Sequence, residues 1–121
     1  MSPYRSSSKR AIRNIAVFGS GKIRETDLAY QRAMGMGMKL AQEGFHIFHG
    51  GFGGVMEAVA RGSRSVRGRN TGIIVRGTLK KMNPWVSEVI QTPSWKDRLF
   101  RLIEMGEAYI FLDGATGTLR S

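Results

Sequence analysis

The sequence predicts a three-layer α/β fold, a parallel sheet with helices on both faces. Three observations predict it. Short apolar runs alternate along the chain with stretches of helical period. The runs are apolar throughout, as strands buried on both faces are, rather than alternating apolar with polar. Three of them end in glycine-rich turns, at Gly19-Ser20-Gly21, Gly50 to Gly54 and Gly114 to Gly117. Such a fold gathers these turns on the carboxyl edge of its sheet, where ligands bind.

Length and composition bound the rest. With 121 residues the chain is one domain, since two would each be too small to bury a useful core. Residues 1–12 read as a flexible basic arm and 13–121 as the domain. The arm lacks the apolar segment of a signal peptide, and no apolar run is long enough to cross a membrane. The absence of cysteine excludes disulfides and thiolate metal sites and suits a reducing cytoplasm. A net charge of +10 calls for an anionic partner or is at least compatible with one, the plainer alternative being a solvated basic face. From Ala58 to Ser87 there is no carboxylate, while Arg61, Arg64, Arg67, Arg69, Arg76, Lys80 and Lys81 all fall there.

In chain order, Asn14 to Phe18 is a buried first strand feeding the Gly19 turn. A helix follows from about Glu25 to Glu43. Its Ala29, Ala33, Gly37 and Ala41 form a stripe of small side chains that lets it lie close to the sheet, and Gly44 closes it. Phe45 to Phe48 is the second strand. After the Gly50 turn a helix runs to about Arg61, with Gly62 behind it. Thr71 to Val75 is the third strand, 76–84 a basic loop, and Trp85 to Thr92 a fourth strand. Ser94 and Asp97 make a capping-box pattern for the next helix. Trp95, Leu99, Leu102, Ile103 and Gly106 form its buried face, and Asp97 pairs with Arg101. Ala108 to Leu112 reads as a central strand.

The stretch from His49 to Ala60 is the core of the functional reading. Its glycines let a ligand approach the backbone, and the first turn of the following helix, Val55 and Met56 included, offers N–H groups and a dipole to an anion. The plainer alternative is a tight turn that packs a helix onto a sheet. Asp113-Gly114-Ala115-Thr116-Gly117-Thr118 follows a buried strand and should open a helix. There the backbone N–H groups and the Thr116 and Thr118 hydroxyls form a nest for phosphate.

Other chemistries fall away. The Gly19 turn has Arg24 where a dinucleotide fingerprint needs its third glycine, and His49 stands where that fingerprint needs an acid. Gly21-Lys22 is followed by Ile23, which is not a Walker loop. His46 and His49 point to opposite faces of a strand and cannot share a metal. No Ser-His-Asp arrangement is readable.

Taken together, Phe18-Gly19-Ser20, Gly50-Gly51-x-x-Gly54-Val55-Met56-Glu57-Ala58, Arg98 and Asp113-Gly114-x-x-Gly117-Thr118-Leu119 resemble the LONELY GUY family, whose members were often mislabelled lysine decarboxylases. The resemblance implies a Rossmann-like, oligomeric nucleotide-binding protein. Its characterised members are nucleoside 5′-monophosphate phosphoribohydrolases, which release a free base and ribose 5-phosphate. It implies a phosphate site made of Gly19, Ser20, Gly50, Gly51, Gly54, Val55, Met56, Arg98, Gly114, Thr116, Gly117 and Thr118, with Arg98 as the catalytic candidate and no metal or other cofactor.

The family's catalytic Glu falls at Ser121, with Leu99 in place of its Lys and Asp113 in place of its Pro. The carboxylate that N-glycosidic hydrolysis requires is therefore missing from the motif. The C-terminal part of the fold is expected to be missing as well, which favours association of the exposed last strand. Two further readings remain open: a carrier or sensor of a phosphorylated cofactor resembling molybdenum-cofactor carriers, and binding of single-stranded DNA.

Overall fold

The computed structural model describes residues 11–112. Among these residues five parallel strands form one sheet: β1 (Asn14–Gly19), β2 (His46–His49), β3 (Asn70–Val75), β4 (Glu88–Thr92) and β5 (Ala108–Leu112), in the order β4-β3-β2-β1-β5. Among the described residues three helices cover it: α1 (Leu28–Gln42), α2 (Val55–Ser65) and α3 (Trp95–Met105). The two-residue repeat of β1 divides the core. Ile15 and Val17 pack with Ile47 against α1 and α2, whereas Ala16, with Phe48 and Ile73, meets Leu102 of α3. The expected three-layer α/β fold is present.

The small-residue stripe works differently from the expectation. Ala33 and Gly37 are buried, but a methyl group on Gly37 would overlap the Val59 carbonyl of α2. Gly62, expected just beyond α2, lies inside it, and a methyl there would overlap the Met34 carbonyl of α1. The stripe therefore serves helix–helix contact, and the cost of an interior glycine is offset by that close approach. α1 also starts later than expected. The Asp27 carboxylate accepts the Arg24 N–H at 2.7 Å and the Asp27 N–H donates to the Arg24 carbonyl at 2.8 Å, which closes a turn before Leu28.

Ser94 caps α3 as expected, accepting the Asp97 N–H at 3.1 Å while its hydroxyl donates to the Asp97 carboxylate at 2.9 Å. That use of Asp97 displaces its expected pairing with Arg101, whose guanidinium instead lies 4.0 Å from Glu104. The predicted buried face of α3 is also corrected. Leu102 and Gly106 are buried, while Trp95, Leu99 and Ile103 are each nearly half exposed. The cause is topological: α3 is the one described helix on its face of the sheet, so no second described helix covers its other apolar stripe. β5 likewise proves to be an edge strand among the described residues, with Phe111 71% exposed and stacked on Phe18 at 5.0 Å.

β4 begins only at Glu88. Parallel neighbours usually need a helical crossover, yet β3 and β4 are joined by an irregular loop, residues 76–87. This loop carries the basic residues after the third strand to the carboxyl edge of the sheet.

Candidate functional site: a cation-lined cleft at the sheet's carboxyl edge

From β1 the chain steps to β2, β3 and β4, then returns through α3 to β5 on the other side of β1. Ligands in open α/β sheets bind at such a reversal, beyond the strand ends. A cleft of about 420 Å³ lies there, beside Phe18 and Gly19 at the end of β1 and Gly50 at the end of β2.

Of the three glycine turns, those at Gly19 and Gly50 meet, and the structure shows what their glycines accommodate. Gly54 has φ +68°, and a methyl group on it would overlap the Ser20 carbonyl, so the β1 and β2 turns touch at this point. The Val55 N–H donates to that same Ser20 carbonyl at 2.9 Å. This first donor of α2 is thus directed at the neighbouring turn, and Val55 is buried against Gly19. The Ser20 hydroxyl accepts the Lys22 N–H at 3.1 Å. Gly51, at φ +87°, gives its N–H to His49 Nδ1 at 2.9 Å. Much of the glycine content therefore serves contact between the turns. Met56 lines the cleft with its sulfur 3.7 Å from Arg98.

Arg98 comes from the first turn of α3. Its Nε donates to the Ile73 carbonyl at 2.8 Å and its Nη2 to the Gly50 carbonyl at 3.0 Å, so it ties together the ends of β2 and β3. A side chain on Gly50 would collide with it. Burial lowers the guanidinium pKa.

Around Arg98 stands a cluster that the sequence reading missed. The Phe52 and Trp95 rings lie 6.1 Å apart at 52°. Arg98 Cζ is 5.3 Å from the Phe52 centroid and 5.2 Å from that of Trp95. Lys80, from the β3–β4 loop, brings Nζ to 5.6 Å and 5.5 Å of the same two rings. Lys22 adds a third cation to the wall. Among the described residues lining the cleft there is no carboxylate. Two cations sharing one aromatic pair gain attraction from the rings but repel each other, and an anion relieves that repulsion. A signal was present in the sequence: Phe52 is a large apolar residue inside a glycine turn, and Lys80 lies in the carboxylate-free stretch.

The histidines are structural. His49 is fully buried. Its Nδ1 accepts from Gly51, so Nε2 carries the proton and donates to Asn70 Oδ1 at 2.8 Å. Burial pushes its pKa down to about 4, and Arg98 lowers it further against the opposing Asn70 hydrogen bond. His46, at the start of β2, contacts Thr71 Oγ1 at 2.7 Å. Its pKa is lowered by burial and by Arg69. No group of metal-ligating side chains occurs among the described residues. Gly114, Thr116, Gly117 and Thr118 lie outside the described residues, as do Asp113 and Ser121.

A family model described as the SLOG cluster4 family matches residues 12–121. A protein of Archaeoglobus fulgidus described as uncharacterized is 33% identical over 107 residues, 87% of this chain and 68% of that protein. Among solved structures, TM1055, a structural-genomics target, superposes with a TM-score of 0.74 at 25% identity, over 88% of this chain and 64% of that one. The molybdenum cofactor binding protein of the phototrophic bacterium Rippkaea orientalis gives 0.75 at 23%, over 88% and 66%. The molybdenum cofactor carrier protein of Chlamydomonas reinhardtii gives 0.72 at 22%, over the same shares. The chain thus spans just under two thirds of the length of these solved proteins.

Proposed function

The chain belongs to the SLOG cluster4 family, and on that premise we propose that it binds a small phosphorylated ligand, a nucleoside 5′-monophosphate, in the cleft between the glycine turns and α3. One observation carries the reading: three cations line a cleft at the sheet's reversal point, against an aromatic pair, with no carboxylate among the described lining residues. Lys80 and Lys22 supply charge to the phosphate. Phe52 and Trp95 offer a surface for a flat base, Trp95 being 48% exposed. Arg98 holds the strand ends and adds positive potential.

Hydrolysis of the glycosidic bond needs a carboxylate to steady the cationic sugar. The cleft's described lining holds none, so the proposal is binding, and LONELY GUY-type phosphoribohydrolase activity is no part of it. Thermal unfolding at low salt tests the reading. AMP should raise the midpoint and adenosine should not. An unchanged midpoint with AMP, ribose 5-phosphate and inorganic phosphate alike would sink it.

A second reading keeps the cleft and changes the cargo. The likeness in fold to the two molybdenum cofactor proteins supports a non-catalytic carrier of a phosphorylated cofactor. Metal analysis of the purified protein separates the two: molybdenum near one atom per chain favours the carrier.

A further inference from the structure

The β3–β4 loop has no helix to hold it, yet it delivers Lys80 to the cleft. Leu79, its neighbour, is fully exposed and contributes nothing to anchoring. The anchor is Asn83, which is buried. Its side-chain amide donates to the Phe52 carbonyl at 2.7 Å and to the Gly51 carbonyl at 3.3 Å. Its own N–H donates to the Gly51 carbonyl at 2.9 Å, and its Oδ1 accepts the Trp85 N–H at 2.9 Å. Gly51 is thereby gripped from both ends, by His49 at its N–H and by Asn83 at its carbonyl. Beyond Asn83 the loop is fastened again, where Asn70 Nδ2 donates to the Trp85 carbonyl at 3.0 Å and the Ser87 hydroxyl to the Asn70 carbonyl at 2.6 Å.

These bonds join two segments distant in sequence. Phe52, whose carbonyl Asn83 holds, carries the ring over which Lys80 lies, and Lys80 is three residues before Asn83 on the same loop. We propose that Asn83 is a positioning residue for the cleft: by bonding the basic loop to the glycine turn it sets Lys80 against the Phe52–Trp95 pair, and anion affinity depends on that placement. The inference rests on the reading that a phosphorylated ligand occupies this cleft. A purely structural Asn83 would cost stability without acting through Lys80.

A double-mutant cycle separates these roles. AMP affinity is measured by calorimetry for the wild type, Lys80→Ala, Asn83→Ala and the double variant, with thermal unfolding as a check on folding. A well-placed charge-assisted contact is worth roughly tenfold in affinity. Each single variant should lose about that much, and the double variant should bind no more than about twofold worse than Lys80→Ala. Trypsin supplies a second readout independent of ligand: cleavage after Lys80 and Lys81 should be faster once Asn83 is replaced. Should Asn83→Ala unfold, Asn83→Ser takes its place in both measurements.

If Asn83→Ala binds AMP like the wild type, or if the two losses multiply, the proposal is overturned while the cleft reading stands. Unchanged trypsin cleavage overturns it too. If the wild type binds neither AMP nor inorganic phosphate, the cleft reading falls and takes the proposal with it.

Discussion

Two clefts flank the contact between Gly21 and Gly54, and they handle charge in opposite ways. On the α1–α2 side, groups of opposite character are matched. Arg61 pairs with Glu25, and the Tyr30 hydroxyl donates to Glu57 at 2.8 Å beside the same glycine turn. The Tyr30 pKa is raised, by burial first, with Arg61 opposing and Glu57 adding to the shift. On the α3 side, Lys22, Lys80 and Arg98 face the cleft without a described carboxylate. Both clefts share Gly21 and Lys22, so one turn separates a compensated surface from an uncompensated one. The contrast supports the proposed anion site on the α3 side, since a matched surface gains little from an added anion.

The largest effect expected is from Gly54→Ala, which attacks the ridge between the clefts. It forces a side chain onto a positive φ and into the Ser20 carbonyl. The expected loss is about 3 kcal/mol in urea unfolding, with ligand binding lost on the α3 side. Wild-type stability in this variant would mean that the two turns are not in contact.

Acid should loosen the floor of that ridge. The folded pKa of His49, about 4, is below its usual 6.5, so between those values the unfolded chain binds more protons. The stabilising contribution is complete above pH 6.5 and is lost as pH falls towards 4, by roughly 3 kcal/mol in all. Unfolding free energies measured across that window should slope upward with pH, and His49→Gln should flatten the slope.

Lys80→Ala should weaken AMP binding about tenfold while leaving thermal stability unchanged, since its ammonium is a contributor to the cleft and not to the core. Arg61→Ala makes the smallest difference. It removes a cation that already has a carboxylate, so AMP affinity should be unaltered. If the two arginine and lysine variants weakened AMP equally, the distinction between the flanks would fail.

Much of the layer structure was readable in the chain because strands buried on both faces leave continuous apolar runs, as at Ala16-Val17-Phe18 and Ile73-Ile74-Val75. The Ser94 cap was readable because capping is local. The partners of the small stripe were not. Ala33 and Gly37 announce a close neighbour, but nothing in their spacing distinguishes a helix from a sheet. Trp95 was assigned to a buried face because helical period reports which residues share a side, not whether anything covers it. Phe52, Lys80 and Trp95 come from three separate segments, and their meeting depends on the path of a loop that has no periodicity. Arg98 was singled out by resemblance alone, and its bonds to Gly50 and Ile73 required the strand ends to be in place.

The helix-free link between β3 and β4 also bears on how such a protein changes over time. Elsewhere in the described fold, the cleft is built from strand ends, from glycine turns in mutual contact and from α3, which must still pack on the sheet. At positions 78–82 that coupling is weak: Leu79 is fully exposed, Met82 is partly exposed, and the Lys80 ammonium lies over the aromatic pair. The fold tolerates substitutions and length changes there as it does in surface loops, at the expense only of what Lys80 contributes to the cleft. So long as Asn83 is kept, ligand preference can diverge between descendants through this one segment while the core stays as it is.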